Sequence, residues 1–145
     1  MKITPIFHIL SILIMPLSGF MMISGFVDFV YNNQNWVNFF ISATITLFVG
    51  MSVFLATRGH NDQNIDLRQA FVLTTMSWIT IAFFGALPFY LSNINLNFTD
   101  SFFESMSGIT TTGSTILINI EASPPGILAW RSLLQWLGGI GVIVM

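Results

Sequence analysis

The sequence predicts an all-α integral membrane protein, in which two N-terminal transmembrane helices precede one unit of helix, re-entrant loop and helix. Of the 145 residues, 54% are hydrophobic and only 7% are charged, a composition that does not fit a soluble domain. Several long stretches are strongly apolar, and each is close to or longer than the roughly 20 residues that a transmembrane helix needs. Between two of them lies a segment that is too short and too polar to cross a bilayer.

Four apolar stretches predict membrane crossings. The first lies between Lys2 and Asp28, with no Asp, Glu, Lys or Arg inside it, and the others are Val37–Ala56, Ala70–Leu91 and Ile127–Met145. The last stretch stops without a cap, a charged flank or a turn, so the chain is expected to be a fragment of a longer protein.

This pattern divides the chain into two parts. Residues 1–68 hold two transmembrane helices and a polar loop, and residues 69–145 hold one helix–loop–helix repeat that is truncated in its second helix. The helix–loop–helix pattern occurs once in this sequence.

The positions of Lys and Arg predict the orientation of the chain. Lys2 and the polar loop Arg58–Arg68 fall on one side of the membrane, whereas the turn Tyr31–Asn35 and the connection Ser92–Asn97 carry neither residue type. The N-terminus is therefore expected in the cytoplasm, and the re-entrant segment is expected to enter from outside.

Acidic residues concentrate on the predicted outer side. Asp28, Asp100, Glu104 and Glu121 all fall there, and such charges would raise the cation concentration at a pore mouth. The alternative is that they only keep loops solvated, which is the preferred interpretation for Glu121.

The re-entrant segment, Thr99–Thr115, reads TDSFFESMSGITTTGST. Its first half predicts a short helix over Thr99–Met106, capped by Thr99 or Ser101, with Ser101 and Glu104 forming a capping box. Eight residues reach only about 12 Å, which is less than half of a hydrocarbon core.

After this helix the residues favour extended backbone. The β-branched residues Thr110, Thr111 and Thr112 disfavour helix, and Gly113 permits a positive φ. Backbone of this kind is tolerated at membrane depth only where it lines water or is buried in protein. A half-helix followed by extended carbonyls is the construction of an ion selectivity filter.

The same residues resemble a known family. SFFESMSGITTTGST, followed by PPGILAWRSLLQWLGGIG, is similar to the first pore repeat of the Trk/Ktr/HKT potassium transporter superfamily, and most of all to bacterial Trk-type membrane subunits. The resemblance implies potassium transport, a location in the cell inner membrane, and four repeats on one polypeptide, of which this chain is the N-terminal part. It also implies that carbonyls of Thr111 and Thr112 coordinate K⁺, with Thr110 and Ile109 deeper or flanking and Gly113 setting the backbone geometry.

The resemblance further implies partners. Trk-type membrane subunits form homodimers and bind a cytoplasmic, nucleotide-binding gating subunit, and membrane lipid surrounds them. Nucleic acid is not an expected partner, because the chain has only four Lys and Arg residues and a net charge of −2.

Other residues of the repeat suggest supporting roles. Arg131 lies about a turn and a half inside its helix, where it could snorkel to the interface or pair with Glu104 and brace the short helix. Gly138, Gly139 and Gly141 predict a hinge or a packing face, and small residues at membrane helix interfaces favour packing.

Two alternative functions compete with transport. An intramembrane serine protease is suggested only by Ser107 and Ser114, and neither His8 nor His60 follows Ser107 as a general base would be expected to. The other alternative is a non-conducting membrane anchor or assembly subunit. No enzyme activity is predicted.

Overall fold

A computed structural model describes residues 4–59 and 67–144, and side chains are described as far as residue 141. These residues form six α-helices and one short 3₁₀ helix, Ile120–Ala122, with no strand among them. The α-helices are α1 Thr4–Val30, α2 Trp36–Thr57, α3 Leu67–Gly85, α4 Leu87–Leu91, α5 Phe98–Ile109 and α6 Pro125–Val144.

Three stretches of the described residues are long and apolar enough to cross a membrane, namely Thr4–Val30, Trp36–Thr57 and Leu67–Leu91. They coincide with the first three predicted crossings. The fourth predicted crossing, Ile127–Met145, corresponds to α6, which has 20 residues but is not among these three. Most of the predicted loop Arg58–Arg68 lies outside the described residues.

The third crossing is built from two helices, because α3 ends at Gly85 and α4 begins at Leu87. Pro88 stands in the first turn of α4, where the missing N–H of proline costs nothing. The carbonyl of Gly85 at the break accepts a hydrogen bond of 3.0 Å from the indole Nε1 of Trp130. A residue of α6 thus satisfies a backbone group that the break leaves free.

The short helix α5 packs between longer ones. It contacts α3, α4 and α6, while α1 contacts α2, α3 and α6. The buried core therefore draws side chains from every one of these helices, including Leu17, Met21, Phe39, Ala82, Phe89, Ile109, Ile127, Trp130 and Leu134.

The predicted capping box at the start of α5 is wrong. The helix begins at Phe98, its N-cap residue Asn97 makes no side-chain capping bond, and Ser101 and Glu104 are both buried inside the helix. Glu104 does not reach back to the N-terminus because it is engaged with α6 and with the chain that follows α5, as described below.

Candidate functional site

The short helix α5 ends in a paired hydrogen-bond pattern. The N–H of Thr111 donates to the carbonyl of Gly108 at 3.0 Å, and the N–H of Thr112 donates to the carbonyl of Ser107 at 3.1 Å. Thr111 has a φ of 55°. This is the Schellman arrangement that ends many helices, although its left-handed position usually holds glycine.

The chain after α5 is therefore an exposed turn of unusual backbone. Gly113 also has a positive φ, 76°. The hydroxyl of Thr110 donates to the carbonyl of Met106 at 2.8 Å, so in its contact of 2.8 Å with Thr112 it accepts. Two threonine side chains are thereby held against the end of the helix.

Successive carbonyl oxygens of this turn have different surroundings. Within the described part of the chain, no N–H or O–H group donates to the carbonyls of Thr110, Thr111 or Thr112. The next carbonyl, of Gly113, accepts a long bond of 3.4 Å from Nη2 of Arg131. That of Ser114 accepts bonds from Ser107 Oγ at 2.6 Å and Arg131 Nη2 at 3.3 Å.

Glu104 holds the chain beyond the turn. Its carboxylate is fully buried, and Oε1 accepts one bond from the hydroxyl of Thr115 and one from the N–H of Ile116, each at 2.6 Å. The two contacts join the middle of α5 to the outgoing segment. The sequence analysis gave no role to Thr115 or Ile116, because a hydrogen bond between residues on either side of a turn leaves no motif in the sequence.

Arg131 completes this support from α6. Its Nε lies 3.0 Å from Oε2 of Glu104, and its side chain is only 12% exposed. The N–H direction does not meet hydrogen-bond geometry, so the contact is an ion pair. The structure brings together the two residues that the sequence paired, and the guanidinium binds Glu104 and the turn rather than extending to the interface.

Three of the four glycines of α6, namely Gly138, Gly139 and Gly141, were predicted as a hinge or a packing face, and they differ from one another. Gly138 is buried, and a β-carbon there would overlap the carbonyl oxygen of Ile109. Around Gly139 and Gly141 a β-carbon would meet no described atom within 4 Å. Of these three glycines, only Gly138 is needed for the close packing of the end of α5 on α6.

Two of the four acids predicted near a pore mouth are buried. Asp28 and Glu104 are fully buried, because each serves as an acceptor inside the protein. Oδ1 of Asp28 accepts the N–H of Gly126 at 2.6 Å. Asp100 is half-buried and Glu121 is exposed, which agrees with the solvation role preferred for Glu121.

The residues of the protease alternative do not form a nucleophile and base. The hydroxyl of Ser107 donates to the carbonyl of Ser114. His8 contacts the hydroxyl of Thr57 at 2.9 Å and stacks on Phe54, and His60 lies outside the described residues.

Comparison with known proteins identifies the family. Residues 34–145 match the model of TrkH, a family described as cation transport protein. The chain belongs to the TrkH family. Its relatives include the Trk system potassium uptake protein TrkI of Halomonas elongata, 42% identical over 141 residues, which are 97% of this chain and 28% of the relative. The Trk system potassium uptake protein TrkH of Escherichia coli is 36% identical over an alignment of 146 positions, which covers 100% of this chain and 30% of the relative.

A solved structure from the TrkH family shares the fold. The potassium transporter TrkH from Vibrio parahaemolyticus superposes with a TM-score of 0.93 at 33% identity, over 99% of this chain and 31% of that one. The chain thus spans less than a third of the length of these relatives. The family match and the three long apolar helices together identify the chain as part of a membrane protein. TrkH relatives are transporters, not enzymes, so the protease interpretation is wrong.

Proposed function

We propose that this chain contains the first of four repeats that surround a pore, and that the pore carries potassium ions across the cell inner membrane as part of a longer Trk-type transporter. The observation that carries the proposal is the exposed turn after α5, where the carbonyls of Thr110, Thr111 and Thr112 accept no hydrogen bond from the described residues. Carbonyl oxygens of this kind can replace the hydration shell of K⁺.

The surroundings of the turn support the same role. The C-terminal end of α5 carries the negative end of the helix dipole, which favours a cation near it. Glu104 and Arg131 hold the turn and the outgoing chain from behind, through Thr115, Ile116 and the carbonyls of Gly113 and Ser114. A filter needs such support, because its carbonyls must stay in place when the ion leaves. In this proposal Thr111 and Thr112 bind the ion and Gly113 directs their carbonyls.

The rest of the proposal follows from the family. The relatives named above are potassium uptake proteins, so K⁺ is the proposed ion. A homodimer of the full-length chain, a nucleotide-binding gating subunit in the cytoplasm and contact with lipid are proposed with it, as is a cytoplasmic N-terminus.

One glycine in the turn suggests moderate selectivity. Potassium channels carry two glycines in their TVGYG filter, whereas this segment has Gly113 alone between Ile109 and Thr115. We propose that the filter is less rigid than that of a channel and that it discriminates less strongly between K⁺ and Na⁺.

The test is potassium uptake by cells that lack their own uptake systems and express the full-length gene. Gly113→Ser places a side chain at φ 76°, where a strain of about 1–2 kcal/mol is expected. If this strain moves the carbonyls, the preference for K⁺ over Na⁺ in competition falls by roughly tenfold.

A matched control is Gly19→Ser in α1, because a β-carbon at Gly19 would meet no described atom within 4 Å and its φ is not positive. Uptake by this variant should equal that of the unmodified protein. Unchanged selectivity in Gly113→Ser would remove the filter assignment. An absence of any ion uptake by the full-length protein would favour the non-conducting anchor.

A further inference from the structure

The N-terminus of α6 is tied to α1, a helix that lies outside the repeat with the proposed filter. Asp28 near the end of α1 accepts the N–H of Gly126 at 2.6 Å, across 98 residues of sequence. The Asp28 side chain is fully buried, and its second oxygen, Oδ2, has no hydrogen-bond partner among the described residues. A carboxylate that is removed from water in this way depends on the few contacts that it keeps.

The local sequence explains why α6 needs this acceptor. The helix begins at Pro125, which has no N–H, so the N–H of Gly126 is the first donor of the helix. The next two donors, Ile127 and Leu128, bond to the carbonyl of Pro124 at 3.0 and 3.2 Å. Asp28 thus binds the one remaining donor and places a negative charge at the positive end of the helix dipole.

The backbones of α1 and α6 are also in direct contact at this point. A β-carbon on Gly126 would overlap the Asp28 carboxylate and would lie 2.7 Å from the carbonyl oxygen of Ser24. Only glycine allows this approach, since a backbone oxygen cannot swing aside as the end of a flexible side chain can. The start of α6 is therefore fixed in position by α1.

The start of α6 is connected to the proposed filter through Arg131. Arg131 follows Gly126 by five residues, about 7.5 Å along the helix axis. Its guanidinium contacts Glu104 at 3.0 Å and lies 3.4 and 3.3 Å from the carbonyls of Gly113 and Ser114. A shift or tilt of the first turns of α6 would move these contacts, and the two to the carbonyls are long enough to be lost with a small displacement.

We infer that Asp28 is a positioning residue for ion selectivity, which acts on the filter turn through α6 and Arg131. The inference rests on the proposed function. It gives α1 a role in setting the geometry of the first repeat, in place of the role at the pore mouth that the sequence predicted for this carboxylate.

Asp28→Asn in the full-length protein tests the inference. The asparagine keeps the shape and one carbonyl acceptor for the N–H of Gly126, but it removes the charge at the start of α6. We expect the preference for K⁺ over Na⁺ in competitive uptake to fall by about fivefold, with protein amounts in the membrane measured in the same cells. The matched control is Glu121→Gln, which removes an exposed acid from the same predicted side and should leave selectivity unchanged.

The outcomes separate the possible roles of Asp28. Equal losses in both variants would mean that the two acids act only through the surface charge, and the inference would be wrong. It would also be wrong if Asp28→Asn lowered uptake only in proportion to the amount of protein, with unchanged selectivity, because that result describes a purely structural residue. Where the variant accumulates poorly, purified protein in liposomes gives the same selectivity ratio per molecule.

The Gly113→Ser variant distinguishes a failure of this inference from a failure of the proposed function. If Gly113→Ser also left selectivity unchanged, the filter assignment itself would fail. A change in Gly113→Ser with none in Asp28→Asn would overturn only the role of Asp28.

Discussion

Thr111 adopts a backbone conformation that its side chain disfavours. Its φ of 55° lies in the left-handed region, which β-branched residues occupy only as outliers. The conformation persists because the N–H groups of Thr111 and Thr112 both bond to the last turn of α5. Strained backbone of this kind concentrates at functional sites, and here it lies in the turn with the exposed carbonyls.

Relief of this strain should stabilise the protein. Asparagine tolerates the left-handed region better than threonine, so Thr111→Asn is expected to raise the free energy of unfolding by about 1 kcal/mol. Thermal unfolding of the purified full-length protein in detergent measures the change. Thr112→Asn serves as the control, because Thr112 has no positive φ and should gain nothing. Equal stabilisation by both substitutions would show that Thr111 carries no strain.

Glu104 and Arg131 are expected to depend strongly on each other. Glu104 is fully buried and the Arg131 side chain is 12% exposed, so removing either charge leaves its partner without compensation. Glu104→Gln and Arg131→Gln should each cost about 3–5 kcal/mol of unfolding free energy. The double variant should lose clearly less than the sum of the two.

The same unfolding measurement supplies the control for this cycle. Glu121 is exposed, and Glu121→Gln combined with Arg131→Gln should give additive losses. Additive losses in the Glu104 cycle as well would contradict the ion pair.

At the scale of elements, α6 organises the site. The first N–H of α6 donates to Asp28 of α1. The indole of Trp130 in α6 donates to the carbonyl of Gly85 at the α3–α4 break. Arg131 of α6 pairs with Glu104 of α5. One turn beyond the middle of the helix, Gly138 lies against the carbonyl of Ile109. A single helix thus sets the position of α5 relative to α1 and α3.

The contact at Gly138 predicts a sharp difference between neighbouring glycines. Gly138→Ala would place a β-carbon on the carbonyl of Ile109, and the end of α5 would have to move, at an expected cost of about 1–3 kcal/mol. Gly139→Ala meets no described atom within 4 Å and should stabilise α6 by up to about 1 kcal/mol. Unfolding temperatures of the two full-length variants test this, and similar temperatures would contradict the packing role of Gly138.

The helices could be predicted from the sequence because the requirement behind them is local. An uncharged run long enough to cross a bilayer forms a helix, since its backbone has no other way to satisfy its polar groups. The Glu104–Arg131 contact could also be predicted, because a charge inside an apolar helix needs a partner. The helix predicted over Thr99–Met106 corresponds to α5, which continues three residues further, to Ile109.

The contacts made across the fold could not be predicted. Asp28 and Gly126 are 98 residues apart, and Trp130 and Gly85 are 45 apart, so no periodicity links them. The capping box was wrong for a related reason. Glu104 follows Ser101 in an S-x-x-E pattern, which predicts that its carboxylate binds a backbone N–H at the start of α5. In the structure it binds the hydroxyl of Thr115, the N–H of Ile116 and the guanidinium of Arg131 instead. These three contacts together are stronger than one bond to a local backbone donor.

At the scale of the whole molecule, the charges indicate how the chain lies in the membrane. Of the four Lys and Arg residues, Arg131 of α6 pairs with Glu104 of α5. In the sequence, Lys2 precedes α1, Arg58 follows α2 and Arg68 lies in the first turn of α3. Because consecutive crossings run in opposite directions, this order predicts that all three lie on one side of the membrane. The turn between α1 and α2 has no Lys or Arg. This asymmetry predicts that the N-terminus and the α2–α3 connection are cytoplasmic.

The absence of cysteine allows a direct test of this orientation. Gln34→Cys lies in the exposed turn between α1 and α2, and Asn61→Cys lies in the connection between α2 and α3. In intact cells that express the full-length gene, with cysteines elsewhere replaced, a membrane-impermeant maleimide should label Gln34→Cys. Asn61→Cys should react only after the membrane is permeabilised. The unsubstituted protein is the control for background labelling. Labelling of Asn61→Cys from outside would reverse the predicted orientation, and α5 with the turn after it would then enter the membrane from the cytoplasm.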